Sequence, residues 1–518
     1  MMLWILVGTI GAWLAYVLIV FWALRSDAVR GAVNRHPDRF FITWRSASSW
    51  IPGSFHVEGV QFVGQGTDSQ YFGNLREARF HVRLLPLLLF RREISVGTFH
   101  GRGIEFQLRR PSESGATNAA GLAVAPPIPG IETLPRRTAP RRSRGRPSWW
   151  IRIDKIDFSE IERIWIHGTR LEGPGTLEAA LDMQVAGPFH IRARHLEFPE
   201  ATVSHNGAGI ASGLALNLSG DLGPLTFGVD DVPGDRLFEF ISAELRLAGD
   251  IGPTAPSEAS AASEASWLGD FLPAGSGVSL TGGDIRLDAD LRTHAGGPIQ
   301  GEVRLAGDTV SARIRDEDYE GSLRLGARLV DGAGGPGVLH VRDTELVLTN
   351  LHVPAIPRDT QEGWHATIAV PDGRLDLTNK SWRLDGRFHL EMRDTRPVLA
   401  ILRSQPDAPG WLRLMPTLRD IEGSGKIVTS RDLTQITDAA LNGKSTEFRA
   451  ELLLAPGPLK GIVYARYGLV AAGFDKRSPE KPRWRVFGAK DWFEKARTNP
   501  FAPPDPDDRE DEGEDGHF

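Results

Sequence analysis

The sequence has no cysteine among its 518 residues, so disulfide bonds and thiolate metal sites are excluded. It also lacks an HExxH zinc motif, a P-loop and a dinucleotide-binding glycine pattern. No pair of carboxylates can be singled out as a general acid and base. We therefore predict that the chain is not an enzyme and has no catalytic residues, cofactor or metal site.

An excess of charge of one sign is also missing from most of the chain. There are 60 Lys and Arg against 66 Asp and Glu, which gives a net charge of −6. Residues 505–515 hold eight of the acidic residues and one arginine, so the remainder is close to neutral. This balance gives no electrostatic reason to expect a nucleic-acid partner. Residues 499–518 are predicted to form a disordered acidic tail.

A long uncharged apolar run occurs once, at residues 3–24. A helix of this length spans about 33 Å, which is enough to cross a hydrocarbon core of about 30 Å. The run is longer than the roughly 7–15 apolar residues of a secretion signal, and no basic residue precedes it. We therefore predict an uncleaved, single-pass transmembrane helix over residues 3–24.

The residues after this run bear on its orientation. Arginines flank its C-terminal side, and the positive-inside rule would hold the body of the protein in the cytoplasm. The absence of cysteine suits an oxidising compartment instead. Charge alone argues against a periplasmic body. The flanking residues are Arg25, Arg30, Arg35 and Arg39.

Alternation of apolar and polar residues is the dominant pattern of the body. Between Ile285 and Leu291, for example, each apolar residue is followed by a charged one. This period of two indicates strands with one apolar and one wet face, and the frequent glycine-containing turns indicate hairpins. We predict a mainly β fold: after the transmembrane helix, one elongated, curved antiparallel sheet forms a taco-like hydrophobic groove with a few short capping helices.

The apolar face of such a sheet would line the groove. Large contiguous apolar surfaces mark ligand or partner sites, and acyl chains would cover them with a gain of about 25 cal/mol per Å². The candidate lining residues alternate with charged neighbours. They are Ile285, Leu287, Leu291, Leu323, Leu325, Leu384, Phe388 and Leu390.

Composition divides the chain into segments. Residues 111–148 are rich in Ala, Gly, Pro and Ser and end in six arginines, which fits either a mobile connection between strands or a contact for anionic lipid headgroups. The predicted segments are an N-terminal β segment at 40–110, a flexible Arg-rich loop at 111–148, and the elongated groove body at 149–498 with a linker at about 253–266.

Several segments together resemble AsmA-like proteins, part of the AsmA/TamB superfamily of repeating β-groove proteins in Gram-negative envelopes. The similarity rests on hydrophobic and glycine spacing rather than on catalytic residues. The early segments are FHVEGVQFVG at 55–64, FHVRLLPLLLF at 80–90, ISVGTF at 94–99 and GIEFQLR at 103–109, and the late ones are RPVLAI at 396–401 and LRDIEG at 418–423.

The resemblance implies a single-pass inner-membrane helix with the body in the periplasm, opposite to the orientation that the flanking arginines favour. It also implies that the groove binds phospholipid acyl chains and contributes to phospholipid transport toward the outer membrane and to envelope homeostasis. The expected partners are these acyl chains, the inner membrane, and outer-membrane or envelope assembly proteins.

Two other functions fit the sequence. The chain would act as a membrane-tethered scaffold or assembly factor for outer-membrane proteins if it copurified with such machinery without lipid. A polysaccharide-active enzyme on a β-helix would require an activity that one pair of carboxylates abolishes when changed. Lipid class, transport direction and oligomeric state do not follow from the sequence.

Overall fold

The structure is a computed structural model, and it describes the residue ranges given at the end of this paragraph. The predicted linker at 253–266, most of the Arg-rich loop and residues 503–518 of the predicted tail lie outside these ranges. The described residues are 2–34, 40–65, 70–83, 92–110, 127–128, 130–131, 150–184, 189–205, 208–227, 241–251, 278–283, 285–294, 297–314, 317–332, 338–353, 362–376, 382–403, 417–430, 433–454, 460–478 and 483–502.

Strands dominate the described residues. The helices are α1 (Met2–Arg25), α2 (Asp27–Val33), α3 (Arg396–Arg403) and α4 (Ala489–Ala496). The strands are β1 (Phe40–Thr43), β2 (Ser46–Ser48), β3 (Ser54–Gln65), β4 (Gln70–Arg83), β5 (Glu93–Arg109), β6 (Trp150–Ile166), β7 (Thr169–Gln184), β8 (Phe189–His205), β9 (Ala208–Phe227), β10 (Ile241–Ile251), β11 (Val278–Gly283), β12 (Ile285–Thr293), β13 (Gln300–Ile314), β14 (Glu317–Val330), β15 (Val338–His352), β16 (His365–Asp376), β17 (Arg383–Asp394), β18 (Arg419–Ser430), β19 (Thr434–Gly443), β20 (Thr446–Leu454), β21 (Lys460–Tyr467), β22 (Val470–Asp475) and β23 (Arg483–Arg485).

The chain divides into two compact units, Met1–Ser263 with Asp288–Gly297, and Glu264–Leu287 with Pro298–Phe518. In the first unit, β3 to β10 pair in chain order, β1 and β2 follow each other along β3, and β12 pairs with β10. In the second unit, β13 to β23 pair in chain order and β11 pairs with β13.

Each unit is therefore an open sheet, because its edge strands do not pair with one another within the described ranges. Pairing between sequence neighbours is the result expected from alternating segments joined by short glycine-containing turns. The prediction of a mainly β fold built on antiparallel strands is confirmed.

One pair departs from the antiparallel pattern. β5 and β6 are parallel, and such a pair needs a crossover connection, which residues 110–149 provide. Within that connection, Ile128 and Ile131 are buried against Val63. Val63 lies on the opposite face of β3 from Val60, whose side chain belongs to the main core of the first unit. These two isoleucines therefore pack on the face of β3 opposite to the main core of the first unit.

Glycines on the apolar faces make room for cross-strand aromatic rings. Phe62 lies directly opposite Gly73, and Phe388 directly opposite Gly425. A Cβ atom on Gly73 would come within 2.0 Å of the Phe62 ring, and one on Gly425 within 2.7 Å of the Phe388 ring. The rings therefore fill space that any other residue would occupy, which explains why these glycines stand inside strands.

Helix α4 covers the last strands, on the face opposite to the apolar one. Trp492 and Phe493 are buried against Ile462 and Tyr464. Tyr464 lies opposite Gly473, where a Cβ atom would come within 2.6 Å of the Trp492 ring. This packing makes α4 a short helix on the sheet, as the fold prediction expected, although the sequence pattern did not indicate its position.

The glycine packing gives the first prediction. Gly425→Ala should lower the free energy of unfolding by about 1–3 kcal/mol, because the new methyl group meets Phe388 and the backbone at Ala439. Gly326→Ala is the matched control, because no atom lies within 4 Å of a Cβ at that position. Thermal or urea unfolding measures both variants. Equal stability of the two would contradict the proposed packing.

A second prediction concerns Glu451, beneath α4. Burial raises the pKa of the Glu451 carboxyl, although its Oε2 accepts a hydrogen bond from the Asp438 backbone N–H and its Oε1 lies 3.8 Å from Arg497 Nε. Because the folded pKa lies above the unfolded value, this group favours the fold most below about pH 4.3. That contribution is lost as the pH rises through the raised pKa.

Glu451→Gln should therefore be more stable than the unmodified chain at neutral pH, and the difference should vanish in acid. Urea unfolding across this pH range measures the effect. Glu422→Gln removes an exposed carboxyl from the polar face of β18 and controls for the loss of one charge. A Glu451→Gln variant that is less stable at neutral pH would show that the ion pair with Arg497 outweighs the burial.

Candidate functional site

Five of the predicted lining residues share the apolar face of the second unit. Residues that lie directly opposite in neighbouring strands point to the same face of a sheet. Leu325 is opposite Leu346, and Leu390 is opposite Ile368. Leu323, Leu384 and Phe388 alternate with the polar residues of the same strands, so they join this face.

A continuous apolar row, here called the central row, crosses ten strands of this unit. Each member is directly opposite the next, and none carries a polar side chain. The members are Leu305, Leu325, Leu346, Ile368, Leu390, Gly423, Leu441, Phe448, Ala465 and Ala472.

Further apolar rows run beside the central row. One contains Leu323, Leu348, Ala366, Met392 and Ile421. Another contains Leu329, Val341, Gly373, Gly386, Ile427, Ile436 and Leu452. The rows together make an apolar surface several residues wide.

The central row is only half-buried, and its leucines keep part of their surface in contact with solvent. Among the described elements, the strands of this unit mainly contact their hydrogen-bonded neighbours, and α4 is the element that packs onto the face of β21 and β22. Because α4 lies on the polar face, it leaves the central row open. Within the described ranges, the central row is thus accessible to an occupant, whereas Ala366, Met392 and Ile421 of the neighbouring row are buried with Trp364.

The opposite face of the same strands is charged. Arg328, Arg342, Asp372, Arg387 and Lys426 lie opposite one another across β14 to β18. Lys426 Nζ lies 3.9 Å from Asp385 Oδ1, and an exposed pair of this kind adds little to stability. The charged side chains keep this face of the strands in water. Each strand of this region therefore separates a wet face from an apolar one.

The three predicted residues on β12 are placed differently. Ile285, Leu287 and Leu291 are separated by even numbers of residues, so they share one face of β12. Ile285 is buried, and the other two are half-buried. Leu291 belongs to the first unit, whereas Ile285 and Leu287 belong to the second.

Sequence analysis missed an equivalent row in the first unit. Its members are opposite one another from β3 to β10, including the parallel pair. They are Val57, Ala78, Gly101, Phe158, Leu177, Leu196, Leu218 and Leu245. The alternation around each member is a signal that the sequence does contain. Only the pairing register shows that they form one row.

The N-terminal helix is fastened to the start of the first sheet. Trp13 Nε1 donates to the Trp50 carbonyl at 2.9 Å, and the Tyr16 hydroxyl lies 2.6 Å from Ser49 Oγ. Trp44 Nε1 donates to the Leu24 carbonyl at 3.1 Å. The β2–β3 loop therefore lies beside the middle of α1, and Trp44, directly after β1, lies beside its end.

The other face of α1 is apolar and exposed. It presents Ile10, Leu14, Leu18 and Trp22, which are spaced one helical turn apart. Where side chains are described, no single helix has the length and hydropathy of a membrane span. Helices Thr9–Arg25 and Asp27–Val33, bent by 64°, meet that standard only as a pair.

Many of the described polar side chains form ion pairs between neighbouring strands. A depression of about 270 Å³ on the polar face of β8 to β10 is lined by His195, Asn217, Ser219, Glu244 and Arg246. His195 Nε2 is 3.3 Å from Glu197 Oε2, as expected for a solvated sheet surface. Within the ranges that the structure describes, no group of three metal-ligating side chains comes together.

Comparison with protein-family models, with curated proteins and with solved structures found no match. The geometry of the two apolar faces and of α1 is therefore the basis for a function.

Proposed function

We propose that the chain is a membrane-anchored protein that binds lipid acyl chains on its apolar faces. The observation that carries this proposal is the central row, an unbroken apolar line across ten strands. A soluble sheet normally buries such a face under a second layer. An acyl chain is a removable substitute for that layer.

The dimensions favour an extended apolar ligand. Neighbouring strands are about 4.8 Å apart, so ten strands give the central row a length of about 43 Å. One leaflet of a bilayer core is about 15 Å deep, which sets the scale of an acyl chain. The central row is therefore long enough for more than one acyl chain placed end to end. Binding of each acyl chain is favoured by about 25 cal/mol of free energy per Å² of apolar surface removed from water.

The charged face lies on the opposite side of these strands from the central row, and it favours lipid rather than a second protein layer as the occupant. It keeps the strands soluble while the apolar face is occupied or empty, which a shuttle or partial conduit requires. Beside the central row, Phe388 packs over Gly425 on the same face and adds no polar group. The ligand class that fits is a phospholipid or another lipid with saturated or unsaturated hydrocarbon chains.

The anchor in this proposal is α1. Its exposed row from Ile10 to Trp22 would face hydrocarbon, and the neighbouring Trp50 and Ile51 are 63% and 64% exposed beside it. The carbonyl groups of this loop accept hydrogen bonds from Trp13 and Tyr16, which lowers the penalty for placing backbone near lipid. We propose that α1 and this loop together enter the membrane.

The cellular role in this proposal follows the resemblance of residues 55–109 to AsmA-like proteins. The anchor lies in the inner membrane, the sheets lie in the periplasm with the apolar face of each as a hydrophobic groove, and the bound lipid moves toward the outer membrane. Envelope homeostasis depends on such transport. A scaffold for outer-membrane assembly proteins would use the same anchor but carry no lipid.

Photocrosslinking tests lipid binding. Benzoylphenylalanine at Leu390 should capture phospholipid in cells, because this side chain lies in the central row. His389 is the matched control, since it is the preceding residue and points to the exposed polar face. Mass spectrometry of the adducts identifies the lipid. Equal labelling at both positions, or capture of protein alone at Leu390, would reject lipid carriage and favour the scaffold.

A reporter fusion tests the proposed topology. Alkaline phosphatase joined after residue 518 should be active in a Gram-negative host, because the enzyme matures only in the periplasm. A fluorescent protein that folds only in the cytoplasm should stay dark at the same site. The reverse result would mean that the arginines after α1 determine the orientation, with the sheets in the cytoplasm.

A further inference from the structure

The end of the second sheet carries two large apolar side chains that nothing in the described ranges covers. Leu469 is fully exposed in the two-residue turn between β21 and β22, and Phe487 is 95% exposed after β23. Gly468, the other residue of that turn, has a φ of +59°, which is typical of a tight hairpin. The turn therefore holds Leu469 out from the sheet.

The two side chains lie at the same end of the sheet. Tyr467 is opposite Val470 across the turn, and Arg485 is opposite Gly473. Because β23 runs antiparallel to β22, the chain after Arg485 continues toward that turn. Phe487 therefore comes to the sheet end that Leu469 occupies.

The apolar face of the second unit also ends here. Ala465 and Ala472 are the last pair of the central row, and Tyr467 and Val470 are two residues further along the same strands. Trp484 is on this face too, opposite Phe474 with 5.0 Å between the ring centroids. Six exposed residues lie at this end of the central row and are here called the lip: Tyr467, Leu469, Val470, Trp484, Val486 and Phe487.

Cationic side chains border the lip. Arg466 lies on the polar face of β21 beside Tyr467 and pairs with Glu447. Lys444 is 86% exposed and 3.3 Å from Asp420, in the turn whose Ser445 carbonyl accepts a hydrogen bond from Gly468 N–H. Apolar and aromatic side chains bordered by cations match the interface of an anionic bilayer.

We propose that the lip inserts into the headgroup and acyl boundary of an anionic bilayer, and that acyl chains pass there between the bilayer and the central row. The passage of acyl chains rests on the proposed function, whereas the membrane contact does not. Leu469 and Phe487 enter the hydrocarbon boundary, the tyrosine and tryptophan lie at headgroup level, and the cations meet lipid phosphates.

The absence of cysteine allows a direct test with the full chain. Leu469→Cys labelled with the environment-sensitive dye NBD gives one probe at the lip, and Arg324→Cys gives the matched probe on the exposed polar face of β14. Both chains are reconstituted into phosphatidylcholine vesicles with or without phosphatidylglycerol. Emission at 469 should rise at least about twofold with phosphatidylglycerol and be quenched by spin-labelled acyl chains, whereas emission at 324 should not change.

A second substitution separates insertion from general proximity to the vesicle. Phe487→Ser in the labelled Leu469→Cys chain should reduce the rise in emission, because it removes the other inserting side chain. Phe487 is exposed, so this change should leave the unfolding temperature unaltered, and circular dichroism checks that it does. A rise that is the same with and without Phe487 would contradict insertion of the lip.

The outcomes also separate the lip from the proposed function. A probe at 469 that stays water-like with phosphatidylglycerol overturns the membrane contact, even if Leu390 still captures lipid, and directs attention to a protein partner at this end. A clear response at 469 without lipid capture at Leu390 supports the contact but overturns the passage of acyl chains. Equal responses at 469 and 324 overturn the proposal entirely.

Discussion

The structure depends on keeping the apolar rows on one face of the sheet from each strand to the next. A shift of one residue would move the apolar side chains of a strand to the other face, so a β-bulge is needed wherever the sequence departs from strict alternation. Asp438 lies at such a bulge. It adopts a φ of +53° at a register shift, so that Ile436 and Ala439, three residues apart, both stay in line with the apolar residues of β20. Asp343, with a φ of +49°, has the same role between Val341 and the apolar residues that follow in β15.

These bulges explain which strands could be predicted. Leu323 and Leu325 stand in a strictly alternating stretch, as do Leu384 and Leu390, and the sequence alone identified their common face. Around Asp438 and Asp343 strict alternation would place a carboxylate on the apolar face. Aspartate tolerates the left-handed conformation that a bulge requires, but a pattern of period two does not contain that information.

Long-range pairing limited the rest of the prediction. The row of the first unit passes through a parallel pair, and its register depends on a connection of about forty residues rather than on a short turn. Helix α4 was missed for a related reason. Its buried residues, Trp492 and Phe493, pack over Gly473 on the polar face, where an alternating sheet gives no reason to expect a partner.

The position of α4 bears on how the apolar face remains available. A helix on that face would bury Phe448 and Ala465 permanently and end the central row before the lip. On the polar face it packs on the last strands through Trp492 and, among the described elements, leaves the apolar face without a covering helix up to Val470. An occupant that binds only the folded sheet then stabilises it by mass action, so the face can be filled and emptied without refolding. A second layer of protein would remove that reversibility, so the position of α4 on the polar face is consistent with the proposed binding of acyl chains.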